Sequence, residues 1–94
     1  MFILLLTYKK PLEEVMAHLE AHRAWLGGHY AAGRFLCSGP QVPRTGGAIL
    51  CRAESRKAVE ALTADDPFRL HGIADYTIVE SRPTHTLPGF EAFL

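Results

Sequence analysis

The chain has 94 residues, 48% of them hydrophobic and 21% charged, enough for one small domain that buries about 60 to 65% of the surface its unfolded form exposes. Ten basic and ten acidic residues cancel to a formal net charge of zero, and the basic ones are scattered from Lys9 to Arg82 without forming a block, so nothing points to nucleic acid or a membrane surface. The opening apolar run lacks the charged start and the length of a signal peptide, and the two cysteines lack CxxC spacing, so the expectation is a cytoplasmic protein with Cys37 and Cys51 reduced in the core.

Phe2 to Tyr8 is a continuous apolar stretch and predicts a strand buried on both faces. Pro11 suits the first turn of a helix, where Glu13 and Glu14 complement the dipole. Leu12, Val15, Met16, Leu19, Leu26 and Tyr30 recur at helical spacing and predict a core-facing helix from Pro11 to Ala32, with a kink or early stop possible at Gly27-Gly28. Gly33 terminates it. Arg34 to Ser38 and Ala48 to Arg52 read as two strands joined through Gly39 to Gly47, a hairpin with a long loop. Ser55 is an N-cap for a second helix whose apolar stripe is Ala58, Val59 and Leu62. Asp66-Pro67 begins a short turn or helix that closes near Gly72, and Ala74 to Ser81 makes the fourth strand.

The order βαββαβ predicts an α+β fold, a ferredoxin-like plait with both helices on one face of a four-stranded antiparallel sheet. Strands apolar on both faces then leave one face to be covered. A second copy of the chain is the simplest cover, giving a homodimer with two sheets packed face to face as an α/β barrel. The expected unit is a single domain over residues 1–94, with the tail 83–94, rich in apolar residues at its end, packed on the partner subunit.

Candidate chemistry centres on His22, which at about 100° per residue falls roughly 60° from the centre of the helical stripe, at the border of core and solvent. His18, Trp25 and His29 follow on the same flank. His18 and His22 are four residues apart, as two metal ligands on one helix face would be, but no obvious third ligand follows and no metal is expected. Asp66 reads as a helix cap whose remaining lone pairs can orient an imidazole N–H; Asp65 reads as solvated. Ser38, at the end of a strand, reads as a hydrogen-bonding group and lacks the elbow of a serine hydrolase. Tyr8, Trp25 and Phe68 are candidate apolar walls, although such residues are more often plain core. Without a glycine-rich phosphate loop, no organic cofactor is expected.

In His22-Arg23-Ala24-Trp25-Leu26, Gly33-Arg34-Phe35-Leu36, Ser38-Gly39-Pro40, Asp66-Pro67-Phe68 and Gly72, together with the opening strand, the chain resembles the YciI-like (YCII-related) proteins over nearly its whole length. The resemblance implies a dimeric α/β barrel of ferredoxin-like subunits, with a site centred on a histidine and an aspartate, here His22 and Asp66, and Ser38 near the pocket. It supplies no substrate. His71 stands where such proteins usually carry a small residue, and the tail after Arg82-Pro83 has no motif of the family.

Three functional expectations follow. One is a small-molecule enzyme, of lyase or isomerase type, in which His22 moves a proton, Asp66 orients and charge-stabilises it, and Ser38 holds the substrate. Another is a non-catalytic dimeric module that binds a metabolite in the same pocket. A purely structural dimerisation domain is the third.

Overall fold

In the computed structural model, which describes all residues 1–94, the N-terminal apolar run forms β1 (Phe2–Tyr8). It is an interior strand: it pairs antiparallel with β3 (Gly46–Cys51) on one side and with β4 (Ala74–Glu80) on the other, and β2 (Phe35–Pro40) pairs antiparallel outside β3. The sheet order is β2-β3-β1-β4. Between β1 and β2 run α1 (Leu12–Ala17) and α2 (Leu19–Ala31), and between β3 and β4 run α3 (Arg56–Ala64) and α4 (Pro67–Leu70). This is the α+β arrangement expected from the order of elements.

Period-two alternation puts Phe2, Leu4 and Leu6 of β1 on one face, and all three are buried. They share a single core with Ile49 and Cys51 of β3, Phe35 of β2, Ala74 of β4, and with Val15, Val59, Leu62 and Phe68 from the helices. The helices therefore cover this face. The opposite face carries Ile3 and Leu5, with Leu50 and Val79 in register with Ile3, and Ala48 and Thr77 with Leu5. Here Ile3, Leu5 and Leu50 are half-buried and Val79 is exposed, so within one chain β1 is fully buried on one face and not on both. No helix is long and apolar enough to cross a membrane.

The single helix expected from Pro11 to Ala32 is two helices. The break lies at His18 (φ −110°, ψ 5°), whereas Gly27 and Gly28 pass through α2 without interruption. Those glycines lie on an exposed face, where a Cβ would meet nothing within 4 Å. The break changes the helical phase. Leu12, Met16 and Tyr30, assigned to the core stripe by uniform periodicity, are 49%, 49% and 39% exposed, and His22 becomes the one buried residue of α2.

The hairpin strands are longer than expected, so the connection is only residues 41–45. Gly46 makes this possible, because a Cβ there would lie 1.7 Å from the carbonyl oxygen of Leu6. A bulge between Phe35 and Cys37 shifts the β2 register and puts Cys37 opposite Leu50 on the open face. Cys37 is therefore exposed, contrary to the core position expected for it, while Cys51 is fully buried; both thiols are free. The tail ends in a 3-10 turn (Phe90–Phe93) tied to the body by Arg52, whose Nη1 donates to the Ala92 carbonyl at 3.4 Å.

Candidate active site

Asp66 occupies the N-cap of α4 in extended conformation, with Pro67 following at the first helical position. Its Oδ1 accepts the Phe68 N–H at 3.0 Å, the capping bond. The same oxygen lies 2.8 Å from His22 Nδ1, bridging 44 positions of sequence, and Oδ2 accepts the Tyr76 hydroxyl at 2.5 Å. A fully buried carboxylate thus receives three donors from α2, α4 and β4. Desolvating a carboxylate is costly unless its oxygens find donors, and here each oxygen has at least one.

A carboxylate only accepts hydrogen bonds, so Nδ1 of His22 carries the hydrogen and the lone pair of the neutral ring falls on Nε2. Nε2 makes no hydrogen bond within the chain, and His22 lines a cavity. The ring plane is set by packing. The Phe68 ring stacks on it at 4.0 Å with 3° between planes, and the Trp25 indole lies 5.7 Å away at 28°. Tyr76 is kept protonated by burial first and by the negative charge of Asp66 second, which together push its hydroxyl well above the ordinary tyrosine range. It can therefore serve only as a donor to that carboxylate.

The cavity has a volume of about 310 Å³ and lies among α2, the ends of β1 to β3 and α4. His22, Tyr8, Phe68 and Ser38 line it. Tyr8 meets the edge of Phe68 in a T-shaped pair at 6.2 Å, and the Ser38 hydroxyl sits 2.6 Å from the Tyr30 hydroxyl. Asp66 stands behind His22 rather than in the wall. Trp25, expected as a wall, does not reach the cavity: its indole N–H donates to the Leu62 carbonyl at 3.2 Å, and it braces His22 from the core. His18, four residues before His22, instead stacks on His71 at 4.5 Å.

Three residues in this assembly escaped sequence reasoning. Tyr76 falls within the strand pattern of residues 74–81, which does not mark it out, although a buried tyrosine needs a hydrogen-bond partner and so signals a polar group nearby. Arg23 and Arg44 also line the cavity. Arg23 was visible only as the neighbour of His22, and Arg44 lies in a loop with no periodicity to read.

No curated protein matches the sequence. Among solved structures, the chain is similar to 5-chloro-2-hydroxyhydroquinone dehydrochlorinase from Burkholderia phenoliruptrix AC1100, in complex with 2,5-dihydroxybenzoquinone, with a TM-score of 0.72 and 22% identity. The alignment covers 87% of this chain and 94% of that one, and at this identity it establishes the fold. The profile of the YCII-related domain matches residues 1–82, most of the chain with all four strands and α1 to α4, so the protein belongs to the family of YCII-related domains.

Proposed function

We propose that this protein is a small-molecule enzyme in which His22 transfers a proton in a lyase- or isomerase-type reaction. The observation that carries the reading is the orientation of His22: Nδ1 is bound to Asp66 at 2.8 Å, and Nε2 is left without a partner beside a cavity. Nε2 takes a proton from the substrate, and Asp66 stabilises the imidazolium that forms. The electron pair released then either expels a leaving group or is reprotonated at another atom. Ser38 binds the substrate, and Tyr8 and Phe68 form the apolar walls. A fold neighbour that is a dehydrochlorinase, in complex with 2,5-dihydroxybenzoquinone, gives a precedent for elimination from a small molecule on this fold.

The working unit of the proposal is a cytoplasmic homodimer. The uncovered face with Ile3, Leu5, Leu50 and Val79 supplies the apolar surface for a second sheet, and the tail from residue 83 to 94, with Leu87, Phe93 and Leu94 exposed, packs on the partner. The exposed free thiol of Cys37 suits a reducing compartment.

The test uses 2,5-dihydroxybenzoquinone as a probe in D₂O, with ring C–H exchange followed by NMR and binding by calorimetry. Exchange faster than in buffer, lost in His22→Asn with binding retained, supports catalysis. Binding without accelerated exchange would favour the metabolite-binding module instead.

A further inference from the structure

We propose that the cavity selects substrates bearing an acidic oxygen group, a carboxylate or an ionised enol or phenol, and that Arg23 and Arg44 hold that group. The inference rests on reading the cavity as the reaction site. Its lining residues include two arginines and no acidic side chain. Neither arginine has a carboxylate within salt-bridge distance; the ion pairs of the chain are Lys9 with Asp75, His22 with Asp66 and Arg56 with Glu60. Arg23 makes no side-chain hydrogen bond, and the one made by Arg44 goes to Met16 Sδ at 3.7 Å, a weak acceptor. Arg52 and Arg56, away from the cavity, instead donate to backbone carbonyls of Gly33 and Ile78. Two delocalised cations on residues lining a half-apolar cavity, neither paired with an oxygen acceptor within the chain, suit a small organic anion.

Arg44 is held there by construction. Its loop is pinned to β1 and β3 by Gln41, whose Nε2 donates to the carbonyls of Leu6 at 3.2 Å and Gly47 at 3.0 Å, and by the Tyr8 N–H, which donates to the Thr45 carbonyl at 2.9 Å. Reaching Met16, the guanidinium extends from this loop toward α1. Arg23 and His22 line the same cavity from α2, so an anion held by Arg23 shares that cavity with the proton acceptor. When His22 removes a proton beside such a group, negative charge grows on the substrate oxygens. Guanidinium groups that pair with those oxygens stabilise the growing charge more than they stabilise the bound ground state.

Titration calorimetry with salicylate and its neutral isostere salicylamide tests this on the full chain. The anion is expected to bind about tenfold or more tightly than the amide, as charge-assisted hydrogen bonds permit, and that preference is expected to collapse in the double variant Arg23→Gln, Arg44→Gln. Both arginines are exposed, so the variants keep the fold; Arg56→Gln is the control and keeps the preference. Equal affinity for the two probes, binding of neither, or a preference that survives loss of both arginines overturns the proposal. His22→Asn is expected to retain the anion preference. Failure here leaves the exchange test of His22 untouched, and a negative exchange result leaves the anion preference to be read by itself.

Discussion

Tyr76 donates its hydroxyl to Asp66 Oδ2, the oxygen that His22 and the Phe68 amide leave free. The candidate dyad is thereby a four-group assembly spanning α2, α4 and β4. The carboxylate has no freedom to swing away from the imidazole, because each of its oxygens is anchored by a donor besides His22 or opposite it. Pre-organisation of this kind removes reorganisation from the moment of proton transfer.

Tyr76→Phe is expected to lower stability by about 1–3 kcal/mol at neutral pH, since it leaves Asp66 Oδ2 buried without its donor. The loss has a pH signature. The folded chain holds Tyr76 protonated well above the ordinary value of 10.0, whereas the unfolded chain ionises there, so the contribution of the phenol is complete below pH 10 and declines as pH rises beyond it. Urea denaturation of both proteins across this range is expected to show the gap between them narrowing above pH 10, by about 1.4 kcal/mol per unit. A gap independent of pH would mean that Tyr76 is not buried on the carboxylate.

Asp66→Asn separates charge from geometry. The Phe68 N–H fixes an acceptor at the Oδ1 position, so the amide oxygen stays there, still accepting from His22 Nδ1, and the amide nitrogen faces Tyr76, whose oxygen can accept. The tautomer of His22 survives and the counter-charge to its imidazolium does not. Proton-exchange activity is expected to fall about 10²- to 10⁴-fold, with salicylate affinity nearly unchanged because Asp66 does not line the cavity. Histidine ¹⁵N shifts report whether the tautomer is retained; a switched tautomer would move the cause of any loss from charge to orientation.

Glycines in this chain divide by surroundings. At Gly46 a Cβ would strike the Leu6 carbonyl, a backbone atom of β1 that cannot give way, so Gly46→Ala is expected to cost about 1–3 kcal/mol and, by displacing the loop that carries Arg44, to weaken salicylate binding. Gly28→Ala, in the open on α2, is expected to raise stability by up to about 1 kcal/mol. Thermal melts and calorimetry on the two variants check both signs.

Local signals made much of the fold legible. The continuous apolar run of β1, the Ser55 cap of α3 and the Asp66-Pro67 start of α4 each act within a few residues, and each element forms where its pattern lies. The helix break at His18 has no such marker, since histidine neither stops nor starts a helix, and the phase it sets decides that His22 is buried while Leu12 and Met16 are not. Cys37 shows the same limit: its exposure depends on a bulge one residue away. At the site, spacing in the chain says nothing of which donors converge on Asp66, because His22 and Tyr76 approach it from opposite sides in sequence. Arg44 becomes meaningful only once its loop folds against β1.

The open sheet face gives the last prediction. Leu4 and Leu5 are neighbours of equal chemistry on opposite faces of β1: Leu4 is wholly buried under the helices, and Leu5 is only half-buried, in register with Ala48 and Thr77. If two copies pack through this face, a charge at Leu5 is left desolvated in the dimer but reaches water in the isolated subunit. Leu5→Lys is therefore expected to give a folded monomer by sedimentation velocity at concentrations where the parent chain is a dimer, with circular dichroism unchanged. Leu4→Lys is expected to unfold the chain outright, because its charge has no route to water in either state. A parent chain that sediments as a monomer would remove the sheet face from the interface and with it the reason for its half-buried leucines.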